Sequence, residues 1–153
     1  ELCTRLMHRD DVESIRIYDN LSRKNFNFFL GSHKLNGKVS FAEAELLDTY
    51  RLRKEVEKVD TVIHLAAKVT TPFADQNPHL FDQINNWGTA ELCYAVEESD
   101  CNKLIYMSSA SVYGSGKSET GGDHPTSPKL FTAFQNSMAS GMWSDSKRKK
   151  TSR

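Results

Sequence analysis

No stretch of apolar residues in this sequence is long enough to cross a bilayer, and no cationic, apolar and small-residue order of the secretory kind stands at its start. A soluble chain without a membrane partner is the expectation. Net charge is missing too: 20 basic and 20 acidic side chains cancel, so the overall charge points to neither a nucleic acid nor an anionic surface. Cysteine is scarce. Cys3, Cys93 and Cys101 are odd in number, make no C-x-x-C pair and lack the spacing of a zinc site, which suits the reduced thiols of a cytoplasmic protein. The five histidines stand singly, with no H-E-x-x-H among them, so no metal is expected.

What the sequence does contain is enough apolar material, 38% of 153 residues, for one domain with a real core. Residues 1–9 read as the middle of an amphipathic helix with Leu2 and Leu6 on one face, so the chain is expected to begin inside an element. From there to about residue 113, runs rich in Val, Ile, Leu and aromatics alternate with helical patterns. That alternation is the signature of a parallel sheet flanked by helices, and the expected fold class is α/β. Strands are predicted over residues 14–18, 38–42, 61–66 and 103–107; the last two are nearly continuous apolar runs, as central strands are. Helices are predicted over residues 48–58 and from Asn77-Pro78, where Asn caps free N–H groups and Pro suits a first turn. Leu80, Ile84, Gly88, Leu92 and Val96 form the inward stripe of this second helix, with Gly88 allowing close approach to the sheet. Residues 114–125 read as a loop. From about Thr132 the chain turns Ser-rich and ends in Lys147, Arg148, Lys149, Lys150 and Arg153, which reads as a disordered basic tail.

Three segments carry chemistry. Tyr18-Asp19-Asn20-Leu21-Ser22 closes the first strand, and an acid at the end of the second strand of a Rossmann unit holds the adenosine ribose hydroxyls; a plain solvated turn is the equal alternative. Asp19 at that point repels a 2′-phosphate and so favours NAD over NADP, while Arg23 and Lys24 weaken the preference because either can pair with a phosphate. Val62-Ile63-His64-Leu65-Ala66-Ala67 is a buried strand ending in small residues that leave room for a ligand against the backbone. His64, inside an apolar run, reads as a satisfied core histidine rather than an acid or base. The third and most specific segment runs from Leu104 through Met107-Ser108-Ser109-Ala110-Ser111-Val112-Tyr113-Gly114.

A buried strand ending in Ser-Ser-Ala-Ser-Val-Tyr-Gly resembles the active-site strand of the sugar-nucleotide epimerase/dehydratase branch of the extended short-chain dehydrogenases, the UDP-glucose 4-epimerase type in particular. The other motifs fall in the order of that family: Asp19, Asn20, Leu21 and Ser22 resemble its adenosine-ribose turn, Leu65, Ala66 and Ala67 its dinucleotide-contacting strand end, and Asn85 with Gly88-Thr89 its N-x-x-G-T helix motif. The resemblance covers roughly residues 1–130. It implies a Rossmann-like doubly wound parallel sheet over residues 1–131 and tightly held NAD. The implied substrate is a nucleotide-linked hexose, epimerised at C4 through a transient keto sugar, in a parent enzyme compatible with a homodimer. It also implies that Ser109 is catalytic, hydrogen-bonding the sugar hydroxyl under oxidation, that Met107 and Ser108 touch the cofactor with Asn85, and that Ser111 faces the substrate. A tyrosine, with an ordinary pKa of about 10, supplies the base once a lysine one helical turn on lowers it. A 4,6-dehydratase is disfavoured, because that branch carries Asp-Glu where this chain has Ala110-Ser111. The competing classes are a non-catalytic NAD(P)-binding or sensor protein of the same fold, and a basic tail that meets an anionic partner.

The departures from the family are as informative. Glu45-Leu46 stands where the family has Asp and an apolar residue beside the adenine. No Gly-rich phosphate loop precedes Asp19, and with it the sheet's first strand is missing, so the isolated chain is expected to be inactive and to hold NAD weakly. The Tyr-x-x-x-Lys pair is absent just where it is due. A shift of reading frame from Phe131 restores it: rebuilding each codon from the last base of one residue and the first two of the next permits Tyr-Ser-Val-Ser-Lys over Phe131 to Asn136, and Met138-Ala139 then must read Gly. Residues 132–153 are therefore expected to be a frame-shifted tail. The encoding DNA checks this, and the idea fails if the shifted frame after Phe131 lacks codons for Tyr and, four residues on, Lys.

Overall fold

The computed structural model describes residues 1–24, 26, 37–69, 77–109 and 113. The predicted loop over residues 114–125, Ser111 and the basic tail lie outside the described residues. Four strands form where the apolar runs stand: β1 Ile15–Asp19, β2 Val39–Glu43, β3 Thr61–His64 and β4 Lys103–Tyr106. Each lies within a residue or two of its predicted bounds. The last two stop earlier than predicted, because residues 65 and 66 and Met107 leave the ladder.

Pairing is parallel and in two separate pairs among the described residues. β1 runs beside β2 with Ile15 opposite Val39 and Asp19 opposite Glu43; β3 runs beside β4 with Thr61 opposite Lys103 and His64 opposite Tyr106. The main-chain carbonyl of Asp60 fixes the second register at its entry, accepting from the N–H groups of Asn102 at 3.0 Å and Lys103 at 3.2 Å. The buried Cys101 thiol donates to the same oxygen at 3.4 Å. Parallel neighbours place paired residues on one face of the sheet, so Val62 and His64 share a face with Leu104 and Tyr106.

Helices cover that face. Helix α1, Leu2–Met7, precedes β1, and it is Met7 that it buries, while Leu2 of the predicted Leu2 and Leu6 face is exposed. Helix α2, Thr49–Val56, starts at Asp48, whose carboxylate accepts from the Arg51 N–H at 3.1 Å, and turns Leu52 and Val56 inward at the i, i+4 spacing of an amphipathic helix. A longer helical run begins at Asn77, whose Oδ1 accepts from Leu80 N–H at 3.2 Å ahead of Pro78, as predicted. It comprises α3 Pro78–Asp82, a π-helical turn Gln83–Trp87 and α4 Gly88–Glu97.

The π turn corrects the predicted stripe. A wide turn inserts one extra residue and rotates the helix before it relative to the helix after it. Ile84, Gly88, Leu92 and Val96 do face the core, but Leu80 is exposed and Phe81 takes the buried place. The core gathers Leu46, Leu52, Val56, Leu92, Cys93, Ala95, Val96, Cys101 and Leu104, with Tyr18 and Val62 from the strands packed on it. Arg16 of β1 fastens α2 from below through two bonds to the Glu55 carboxylate, at 2.6 and 3.0 Å, which holds that carboxyl below its ordinary pKa.

Gly88 admits a side chain rather than strand backbone: a Cβ built there would stand 2.9 Å from Leu46 Cγ and closer still to Leu46 Cδ2. Gly88 has ordinary helical dihedrals, so alanine there gains up to about 1 kcal/mol of helix propensity. Leu46 is buried, so its side chain makes room only by repacking its neighbours, and overpacking costs about 1–3 kcal/mol. The clash wins. Gly88→Ala is expected to destabilise by about 1–2 kcal/mol in urea unfolding, with most of that loss gone in a Leu46→Ala background; additive single effects would show that the two residues do not collide.

Candidate functional site

The carboxyl ends of the strands carry nearly all the side chains singled out in the sequence. At the end of β1 the chain makes a tight turn. Asp19 Oδ1 accepts from the Leu21 N–H at 2.7 Å, and Asn20 Oδ1 from the Ser22 N–H at 3.0 Å. Leu21 is thereby held at φ 54°, in the left-handed region, and Lys24 follows at φ 53°. These are costly conformations for residues with a Cβ, and they mark a turn whose shape is imposed. Asp19 itself is exposed.

Glu45 joins this turn from the end of β2. Its carboxylate accepts from Asn20 Nδ2 at 2.8 Å, and its main-chain oxygen from the Tyr18 hydroxyl at 2.7 Å; burial pushes that phenol up to about 12. Leu46, expected to lie beside a bound adenine, has its side chain in the core against Gly88.

The second half of the site is a cleft of about 20 Å³ between the ends of β3 and β4, lined by His64, Leu65, Ala66, Ala67, Asn85, Thr89, Tyr106 and Met107. Leu65, Ala66 and Ala67 are exposed as they leave β3, and Met107, Ser108 and Ser109 as they leave β4. Five of the residues expected at a cofactor therefore meet here. Asp19 to Ser22 sit at the end of the other strand pair, Ser108 and Ser109 follow Met107 out of β4, and Ser111 lies outside the described residues.

Beneath the cleft runs a chain of hydrogen bonds. Asn85 grips the main chain of Lys68 at both ends of its amide: Oδ1 accepts from the Lys68 N–H at 2.8 Å and Nδ2 donates to the Lys68 carbonyl at 2.9 Å. The Thr89 hydroxyl donates to the Asn85 carbonyl at 2.7 Å and lies 3.0 Å from His64 Nε2. A hydroxyl has one hydrogen, and Thr89 spends it on Asn85, so His64 Nε2 must carry the proton it donates to Thr89. His64 is thus buried and hydrogen-bonded, as expected from the sequence; its ring tilts against Tyr106 with centroids 5.7 Å apart. Burial lowers its pKa to about 4. Thr89 and the Lys68 main chain are the participants that sequence reasoning missed. Thr89 was legible as part of a motif but not as a partner of His64, and a main-chain contact leaves no mark on residue identity.

Among the described residues no cluster of His, Cys, Asp or Glu is placed to hold a metal. No helix among them is long and apolar enough to cross a membrane. Parallel βα units with imposed turns and small residues at the carboxyl ends of the strands define a protein of the dinucleotide-binding α/β class.

Comparison narrows the class. The profile of the NAD dependent epimerase/dehydratase family matches residues 1–136, and the chain belongs to that family. It is 33% identical over 112 residues to the UDP-glucose 4-epimerase of Erwinia amylovora, covering 71% of this chain and 32% of that protein. It is 33% identical over 103 residues to the dTDP-D-glucose 4,6-dehydratase of Mus musculus, covering 63% and 28%. Among solved structures, the UDP-glucose 4-epimerase of Brucella ovis in complex with NAD superposes with a TM-score of 0.71 at 25% identity, over 86% of this chain and 39% of that one. The UDP-glucuronic acid 4-epimerase of Bacillus cereus shares the fold, with a TM-score of 0.83 at 20% identity over 96% and 48%. The chain spans about a third of the length of these curated relatives, and less than half of the solved structures. The fold is accordingly a partial Rossmann-type α/β unit.

Because the folded-state pKa of His64 lies below its ordinary value of 6.5, its neutral form stabilises the fold fully above pH 6.5, and that stability is lost as pH falls toward 4. The loss amounts to roughly 3 kcal/mol. In NMR titration the His64 ring protons should stay at their neutral shifts down to about pH 4, and His64→Gln should flatten the fall in stability over that window. Titration of the His64 ring near pH 6.5 would refute its burial as a neutral donor.

Proposed function

We propose that this chain is the cofactor-binding portion of an NAD-dependent enzyme that epimerises a nucleotide-linked hexose at C4 in the cytoplasm. The observation that carries the reading is convergence: the Asp19 turn, the small residues 65–67 and the strand end bearing Ser109 all lie at the carboxyl edge of parallel strands. That edge is where α/β sheets take dinucleotides.

The residues fit the cofactor in two places. Asp19, exposed beside a constrained turn, accepts from ribose hydroxyls with Asn20, Leu21 and Ser22 around it, and repels a 2′-phosphate, which favours NAD over NADP. The exposed backbone of residues 65–67 receives the dinucleotide along the outer edge of the strands, with Met107 and Ser108 on the neighbouring strand end. NAD, when bound, supplies the hydride acceptor for the sugar. Ser109 holds the hydroxyl that loses its proton, and Ser111 the neighbouring part of the substrate. The proton acceptor in this reading is the tyrosine that the shifted frame after Phe131 permits.

Relatives include both epimerases and 4,6-dehydratases. The epimerase is favoured because Ala110-Ser111 has no acidic side chain, and water elimination needs an acid and a base. In the full-length protein that contains this segment, Ser109→Ala is expected to lower turnover of UDP-hexoses by on the order of a hundredfold, with NAD content little changed. An unaltered rate would remove Ser109 from catalysis, and a 4-keto-6-deoxy product in place of the epimer would select the dehydratase.

A further inference from the structure

Residues 65–67 bridge two anchors. At one end the His64 side chain is tied to Thr89; at the other the Lys68 main chain is held at both its N–H and its C=O by Asn85. Asn85 and Thr89 stand four residues apart, about one helical turn, and are tied to each other through the Asn85 carbonyl. The segment between the anchors is exposed, carries only Leu65, Ala66 and Ala67, and has no fixation of its own from large side chains. Asn85 sits in the π turn, and such turns recur at functional sites because they re-aim a side chain out of the regular helical order.

We infer that Asn85 is a positioning residue, with Thr89 and His64 acting through it: the clamp on Lys68 fixes the backbone of residues 65–67 in the path that receives the dinucleotide. This rests on the nucleotide-binding reading above. Asn85 acts here through the donor and the acceptor it gives to Lys68, a role separate from its place in the cleft lining. Asparagine is required because a single planar amide offers one acceptor and one donor to the two main-chain groups of one residue. Aspartate would set a carboxylate oxygen against the Lys68 carbonyl. Thr89 is required for its hydroxyl, so serine can replace it and valine, of the same shape, cannot.

The test has two arms. In the 153-residue chain, amide hydrogen exchange at Lys68 is expected to accelerate at least tenfold in Asn85→Ala and in Thr89→Val but not in Thr89→Ser, with the amides of β4 unchanged. Should Asn85→Ala fail to fold, the Thr89→Val and Thr89→Ser pair carries the comparison. In the full-length protein, the NAD dissociation constant is expected to rise about tenfold in Asn85→Ala and Thr89→Val, and to recover in Thr89→Ser. Unchanged exchange at Lys68 overturns the clamp even if NAD binding falls. Faster exchange with undiminished NAD affinity overturns the positioning role. A full-length protein that does not bind NAD at all overturns the nucleotide-binding reading and the role built on it, and is told apart by the unaltered protein failing alongside its variants.

Discussion

The contact between Leu46 and Gly88 joins parts of the chain that no strand ladder joins. Leu46 follows β2, and Gly88 opens the helix that leads to β4, so the contact crosses from one pair of strands to the other. Among the described residues the two pairs share no hydrogen-bonded edge. What holds them in one body is the apolar layer in which α2 and α4 meet over Tyr18, Val62 and Leu104. A missing Cβ at residue 88 lets that layer close, and closure sets the distance between the Asp19 turn and the cleft. The Asp19 turn and the cleft are therefore spaced by core packing rather than by sheet hydrogen bonds.

Charge plays a subordinate part in this closure. The Arg16 to Glu55 pair is the best placed of the ion pairs, since Glu55 is only 11% exposed and engages the guanidinium twice. Geometry of that kind adds orientation to energy. It fixes the rotation of α2 about its axis, and so which residues of that helix face the core. Lys58 adds a bond to the same Glu55 carboxylate at 3.0 Å, and the remaining pairs lie on open surface, where solvent screening leaves them little to contribute. That division matches a chain with no net charge, in which electrostatics arranges elements that hydrophobic burial has already brought together.

Much of this was legible in the sequence because the signals were local and redundant. β3 and β4 are apolar runs of strand length, Asp48 and Asn77 are caps ahead of amphipathic repeats, and His64 lies within a run that buries whatever it contains. The exposed Asp19 and the small residues at 66 and 67 were legible for a related reason: side chains at strand ends that do not serve packing are left for a ligand. Leu80 was misplaced because a regular period of 3.6 residues cannot register a single wide turn, and the amino acids of Gln83–Trp87 carry no pattern that announces one. The packing of Leu46 was not legible, since an apolar residue at a strand end suits a ligand face and a core equally. The partner that decides between them, Gly88, is 42 positions away in the chain.

The cleft arises from a competition for main-chain hydrogen bonds. The ladder between β3 and β4 reaches its last bond where Met107 N–H meets the His64 carbonyl at 3.4 Å, already long. Beyond it, residues 65–68 have two possible partners. Continuing the strand would pair them with Ser108 and Ser109, but Ala66 and Ala67 lack the branched or aromatic side chains that favour a pleated surface. The helix offers instead an amide that satisfies both main-chain groups of Lys68 at 2.8 and 2.9 Å. A part-buried main chain goes where it is best paired, so Lys68 turns toward Asn85 and the two strand ends part. The opening is then a consequence of the asparagine and of the π turn that aims it.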